Sequence, residues 1–156
     1  MIETPIRETP LGGLDQAEAL QSTLVELIDL SLQAKQAHWN VVGPGFKPVH
    51  EFLDELADAH RDWYDAVAER LTAIGHAPDG RSATVAAGSP LPALPAGPIQ
   101  DQAALAMLQE RVALMSAAVR RRAEGLGERD LATQDLLIEI LRGLEKQGWM
   151  LRAHAG

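Results

Sequence analysis

The chain contains no cysteine, only 4% aromatic residues, and 14 basic side chains against 22 acidic ones. Lacking cysteine, it has no disulfide framework, no thiolate metal site and no thiol nucleophile, which fits a reducing compartment. The formal charge of −8 opposes indiscriminate binding to nucleic acid, because phosphate contacts need clustered Lys and Arg to release counterions. The stretch MIETPIRETPLGG has neither the charged start nor the apolar middle of a secretory signal. No apolar run approaches the roughly 20 residues that span a bilayer. The expectation is a soluble, cytoplasmic protein with no membrane partner.

What is present favours helices. At 156 residues the chain suits one domain with its own core, and its 46% hydrophobic content is dominated by Ala and Leu. Residues 1–14, with two prolines and a Gly-Gly pair, read as a flexible N-terminal tail, and residues 15–154 as a single domain. Ala17, Leu20, Leu24, Leu27, Ser31, Ala34 and His38 recur at threes and fours, one face of a helix running to about Val42. Val25, Ile28, Leu32 and Trp39 make a second stripe, which suits either a wide buried face or a subunit contact.

Gly43-Pro44-Gly45 ends that helix. A second runs from about Val49 to Ile74, closed by Gly75 with Pro78 beyond. The segment from His76 to Ile99 holds five prolines and reads as a crossover, with room for one short helix around Ser82 to Ala87. A third long helix spans about Gln100 to Leu126, and a fourth begins near Asp130 to Thr133 and reaches His154. The fold class is therefore all-α, a ferritin-like four-helix bundle with a long crossover between its second and third long helices.

Chemistry gathers around HWNVVGPGFKPVH, where His38 and His50 flank the Gly-Pro-Gly break. His50 and Asp54 are four apart on the second helix, as are Asp65 and Glu69, and the four project within about a 100° arc. Such nitrogen and carboxylate donors suit Fe, Mn or Zn. Asp54 and Asp65 are nevertheless roughly 16 Å apart along the helix axis, too far to reach one ion. A ferritin-like site within one bundle uses Glu-x-x-His pairs, and the sequence has none. A centre built from these residues needs a second chain, its second helix antiparallel, so that His50 and Asp54 of one copy face the acids of the other. Twofold symmetry then makes two identical centres.

HWN-V-x-G-x-x-F-x-x-x-H-x-x-x-D, then D-x-x-x-E followed by R-L, closely resembles the signature of Dps proteins, the miniferritins named as DNA-binding proteins from starved cells. The likeness extends to EKQGWMLRAH near the C-terminus and covers about residues 15 to 154. It implies a hollow homo-dodecamer built from twofold dimers, with ferroxidase centres at the dimer interfaces. His38, His50 and Asp54 would come from one subunit, and Asp65 and Glu69 from its neighbour. Fe(II) would be oxidised there, preferentially by hydrogen peroxide, with oxygen the other candidate oxidant, and stored as ferric mineral, protecting against oxidative stress. Carboxylates favour Fe(III), while neutral imidazoles hold Fe(II) without adding charge.

The resemblance also implies an acidic iron-entry pore on a threefold axis, with Asp130, Asp135 and Glu139 at matching intervals; helix-start electrostatics is the other reading of Asp135. Trp39 reads as a neighbour of the centre or as a core or interface aromatic. Basic tails, common in DNA-binding members, are missing, so DNA binding is expected to be weak or absent and nucleoid association rests on the resemblance alone. Arg120, Arg121 and Arg122 read as a solvated helix surface. His60 reads as a core or interface histidine, His76 and His154 as helix-end residues, and Asp58 and Asp62 as flanking the ligand arc. Met107, Met115 and Met150 read as core filler, so no haem is expected. Two alternatives stay open: a catalytically idle helical assembly acting in DNA compaction or as an interaction protein, and a Zn enzyme using the same donors.

Overall fold

The computed structural model describes residues 14–156. The expected tail lies outside the described residues except for Leu14, which already begins the first helix. Four long helices, α1 (Leu14–Asn40), α2 (Phe46–Ala73), α4 (Asp101–Leu126) and α5 (Leu131–Ala155), form the bundle, and α3 (Ser82–Gly88) lies within the crossover. The chain pairs α1 with α2 and α4 with α5 as two hairpins. Their facing stripes close one core, in which Leu20, Leu27, Leu53, Leu105, Leu108, Leu137 and Leu144 are wholly inaccessible to solvent.

Two details depart from the sequence pattern. α2 begins at Phe46, earlier than Val49, because Pro48 sits in the first turn, where a missing N–H leaves no bond unmade. A short parallel ladder, β1 (Val41–Val42) against β2 (Ile99–Gln100), adds strand to an otherwise helical fold. It joins the α1–α2 reversal to the end of the crossover.

The proline-rich crossover is held by side chains from the helices. Gln21 clamps the backbone of Asp79 in both directions, donating to its carbonyl at 2.8 Å and accepting its N–H at 2.9 Å. Arg111, almost fully buried, donates to Gln33 Oε1 at 2.6 Å and to the carbonyls of Pro92, Ala93 and Met107. Prolines remove backbone donors and leave carbonyls in excess; a buried guanidinium supplies the missing N–H groups.

Arg122 corrects the reading of its run as solvated surface. Its guanidinium forks onto buried Glu26 at 2.6 and 2.7 Å, and Nη1 also reaches Thr23, joining α4 to α1. Arg120 pairs with Glu145 on α5. Consecutive helical residues point in different directions, and here one of them points inward. The second stripe of α1 is only half covered: Val25 is buried, whereas Leu32 and Trp39 are 61% and 67% exposed.

His60 is a core histidine between α2 and α5, as its place in the stripe suggests. Its Nε2 lies 2.8 Å from Gln147 Oε1, and its buried Nδ1 has no hydrogen-bond partner among the described residues. Burial pushes its pKa down to about 4, outweighing the opposing bond to Gln147. Since the unfolded histidine titrates near 6.5, stability is complete above that pH and falls as pH drops toward 4, by up to about 1.4 kcal/mol per pH unit. Replacing both partners, His60→Leu with Gln147→Leu, flattens this acid limb, read from urea midpoints between pH 7 and pH 5. Separately, Arg122→Ala strands the Glu26 carboxylate and destabilises the fold by roughly 3 kcal/mol. Adding Glu26→Gln recovers part of that loss in thermal melts.

Candidate metal centre

The reversal between α1 and α2 decides where the two histidines meet. Gly43 has φ +125, a conformation that side-chain-bearing residues rarely adopt, and its carbonyl accepts the Phe46 N–H. Val49 N–H then returns to the Gly45 carbonyl, setting the first turn of α2. The last turn of α1 thus lies beside the start of α2, and the His38 and His50 rings stack with centroids 3.7 Å apart and planes 16° from parallel. Phe46 stacks on the outer side of His50, at 5.0 Å.

Each ring is also held by the other residue's backbone. His38 Nδ1 lies 2.7 Å from the His50 carbonyl, and His50 Nδ1 lies 2.7 Å from the His38 carbonyl. A carbonyl only accepts, so both Nδ1 atoms carry hydrogen. In the neutral rings the lone pairs therefore sit on Nε2. A backbone carbonyl holding one ring nitrogen in this way turns the other nitrogen of a histidine toward a metal. The bond from His50 also caps one of the terminal α1 carbonyls left without an intrahelical partner.

Asp54, one turn beyond His50, is ion-paired through Oδ1 with Lys35, three residues before His38 on α1. The hydrogen bond from the Lys35 ammonium holds the Asp54 carboxyl below the usual carboxylate range, against an opposing push from burial, with smaller help from His38 and His50. Asp54 therefore stays ionised, and a cation reaching it competes with the ammonium. The same Lys35 Nζ lies 5.9 Å from the ring centre of Trp39, which packs beside the cluster rather than in the core.

The chain brings His38 and His50 together, with Asp54 one turn beyond His50 and paired with Lys35, and leaves Asp65 and Glu69 apart. Both acids lie exposed farther along α2. Among the described residues, no three His, Asp or Glu side chains of one chain converge into a metal-holding group. Asp58 and Asp62 lie exposed on the same helix between the His50–Asp54 and Asp65–Glu69 pairs.

The three candidate pore acids separate as well. Asp130 is the N-cap of α5: it accepts the Thr133 N–H at 3.0 Å and forks with Arg70 Nη2 at 3.0 and 3.2 Å. Burial works to raise its pKa, but Thr133 and Arg70 together outweigh it and hold the carboxyl low. Asp130 is thus engaged within the chain, whereas Asp135 and Glu139 are exposed on α5. The sequence reading overlooked Lys35; its position one turn before His38 on the same helix face was the available signal.

Residues 17–156 match the family model described as a ferritin-like domain. The chain is 37% identical over 140 residues to the DNA protection during starvation protein of Mycolicibacterium smegmatis, covering 90% of this chain and 76% of that relative. It is 36% identical to DNA protection during starvation protein 2 of Deinococcus radiodurans over 87% of its own length, and spans 56% of that relative. It is also 41% identical to the fine tangled pili major subunit of Haemophilus ducreyi, over 88% of this chain and 73% of that protein. Among solved structures, Dps from Microbacterium arborescens in the high iron form superposes with a TM-score of 0.88 at 35% identity, covering 94% of this chain and 96% of that one. A ferritin-like core is thus shared with relatives more than a third identical over most of the chain, and the chain belongs to the Dps branch of the ferritin-like proteins.

Proposed function

We propose that the protein oxidises Fe(II) at centres shared between twofold-related copies and stores the ferric product inside a dodecameric cage. The observation that carries this is the His38–His50 pair, locked so that both Nε2 lone pairs are available beside the ionised Asp54 carboxylate. Membership of the ferritin-like family supports iron handling in a multimeric shell. The uncovered Leu32 and Trp39 on α1 support a subunit contact next to the half-site.

In this reading His38, His50 and Asp54 hold Fe(II) from one subunit, and Asp65 and Glu69 complete the donors from its neighbour. Iron is the substrate. Two Fe(II) ions supply the two electrons that break the O–O bond of hydrogen peroxide, and two protons complete two waters. Removing ferrous iron and peroxide together is what protects against oxidative stress. Zn accepts the same donors and would compete at this site. Asp135 and Glu139 are the acids that would draw cations to a threefold entrance, with Asp130 fixing the helix start. The place of action is the cytoplasm.

A second reading, an idle structural subunit, draws support from the pilus protein of Haemophilus ducreyi among the relatives. It leaves the orientation of both imidazoles without a purpose.

Complementation distinguishes the readings. Particles of His50→Ala alone or of Asp65→Ala alone lose iron-dependent peroxide consumption. Subunits of the two variants, unfolded and reassembled in equal amounts, regain about a quarter of native activity, because half of the dimers are then mixed and each mixed dimer carries one intact centre. No recovery, or full activity of either variant alone, would contradict a shared site. Duplex DNA is expected to show no retardation by the native particle at physiological salt, checked by gel shift as ionic strength is lowered.

A further inference from the structure

The α1–α2 reversal is gripped by a residue from a helix that contributes none of the proposed ligands. Asp101, the first residue of α4, is 6% exposed although it carries a carboxylate. Its Oδ2 accepts the Gly45 N–H at 2.6 Å, and its Oδ1 accepts the Gln102 N–H at 2.7 Å. The carboxylate fills the space that side chains at the break would occupy. A Cβ on Gly43 would stand 2.9 Å from Asp101 Cγ, and one on Gly45 would stand 2.8 Å from Oδ2. Directly before Asp101, the ladder pairs Val41 with Ile99 and Val42 with Gln100. The chain between the two histidines is therefore tied to the start of α4 on both sides of Gly43.

We infer that Asp101 is a positioning residue of the iron centre: its carboxylate, seated in the Gly43–Gly45 break, sets how closely His38 and His50 approach. The inference rests on the iron-oxidising reading above. The two rings meet only because the reversal closes at one particular pitch, and each Nδ1 bond requires the other residue's carbonyl within reach. Removing the Asp101 carboxylate leaves the Gly45 N–H without its acceptor and opens a gap under the turn. The long helices keep their core, while the histidine pair loses its fixed separation. Gly45 itself has φ −91 and ψ 18, which alanine adopts freely, so a methyl group there meets resistance from Asp101 and not from the backbone.

The test uses the assembled full-length particle, with Co2+ under anaerobic conditions as the probe and its visible absorption as the readout, followed by ferrous oxidation kinetics. Asp101→Ala is expected to weaken Co2+ binding on the order of tenfold and to raise KM for Fe(II) more than it lowers kcat. Asp101→Asn, which keeps an oxygen acceptor for Gly45, restores much of the loss. Gly45→Ala alone weakens Co2+ binding too, but adds nothing in the Asp101→Ala background, where its methyl group has room. Gly143→Ala is the control for general destabilisation: its Cβ would meet Trp63 at 2.2 Å between α2 and α5, away from the break. It lowers the thermal midpoint and leaves the Co2+ spectrum native.

Native Co2+ affinity and spectrum in assembled Asp101→Ala, or additive effects of Asp101→Ala and Gly45→Ala, would overturn the inference. If Asp101→Ala does not assemble, Gly45→Ala decides alone: a weakened site supports the positioning role and a native site refutes it. Failure of the native particle to bind Co2+ or oxidise Fe(II) would instead refute the iron reading, and this inference with it.

Discussion

The reciprocal bonds between His38 and His50 are the constraint on which the functional end of the molecule depends. Each imidazole gives its Nδ1 hydrogen to the other's backbone, so neither ring turns independently and the two lone pairs are left on Nε2. A metal ligand is more useful when its orientation is set before the ion arrives, because ordering then costs nothing on binding. The stacked rings also place the end of α1 against the start of α2, so the same contact that prepares the ligands helps to close the hairpin.

Around that pair, polar side chains hold together parts of the chain that apolar packing alone would leave loose. Arg111 gives donors to a proline-rich strap short of them, Gln21 grips the strap near its beginning, and Arg122 joins α4 to α1 through Glu26. Buried charges of this kind are costly unless fully bonded, and these are bonded on more than one side. Arg70 belongs to the same group of ties. It neighbours Glu69 on α2 and pairs with the Asp130 cap of α5, so this stretch of α2 is braced against the start of the last helix.

Much of this was readable from residue order. Periodicity marked the four long helices, because their apolar stripes are continuous, and the short crossover helix was legible between its flanking prolines. The spacing of His38 and His50 about a glycine break told that they could meet, and the separation of Asp54 from Asp65 told that those two could not. What stayed hidden were side chains whose partners are distant in sequence. Arg122 bonds to a residue 96 positions away, Arg111 to one 78 away, and Asp101 to one 56 away. A local pattern sees such residues only as charges, and reads charge as surface. The two-residue ladder escaped for a related reason: it is too short to show alternation, and its strands come from opposite sides of the crossover.

α2 carries the His50–Asp54 pair near its start and the Asp65–Glu69 pair beyond its middle, and it acts as a ruler between them. Asp54 and Asp65 are separated by close to three whole turns, which is why they share a side of the helix. One residue inserted between them would rotate everything downstream by about 100° and carry Asp65 and Glu69 off that side. The stretch between Asp54 and Asp65 is therefore fixed in length. Loop 76–98, by contrast, can accept additions without disturbing that gauge.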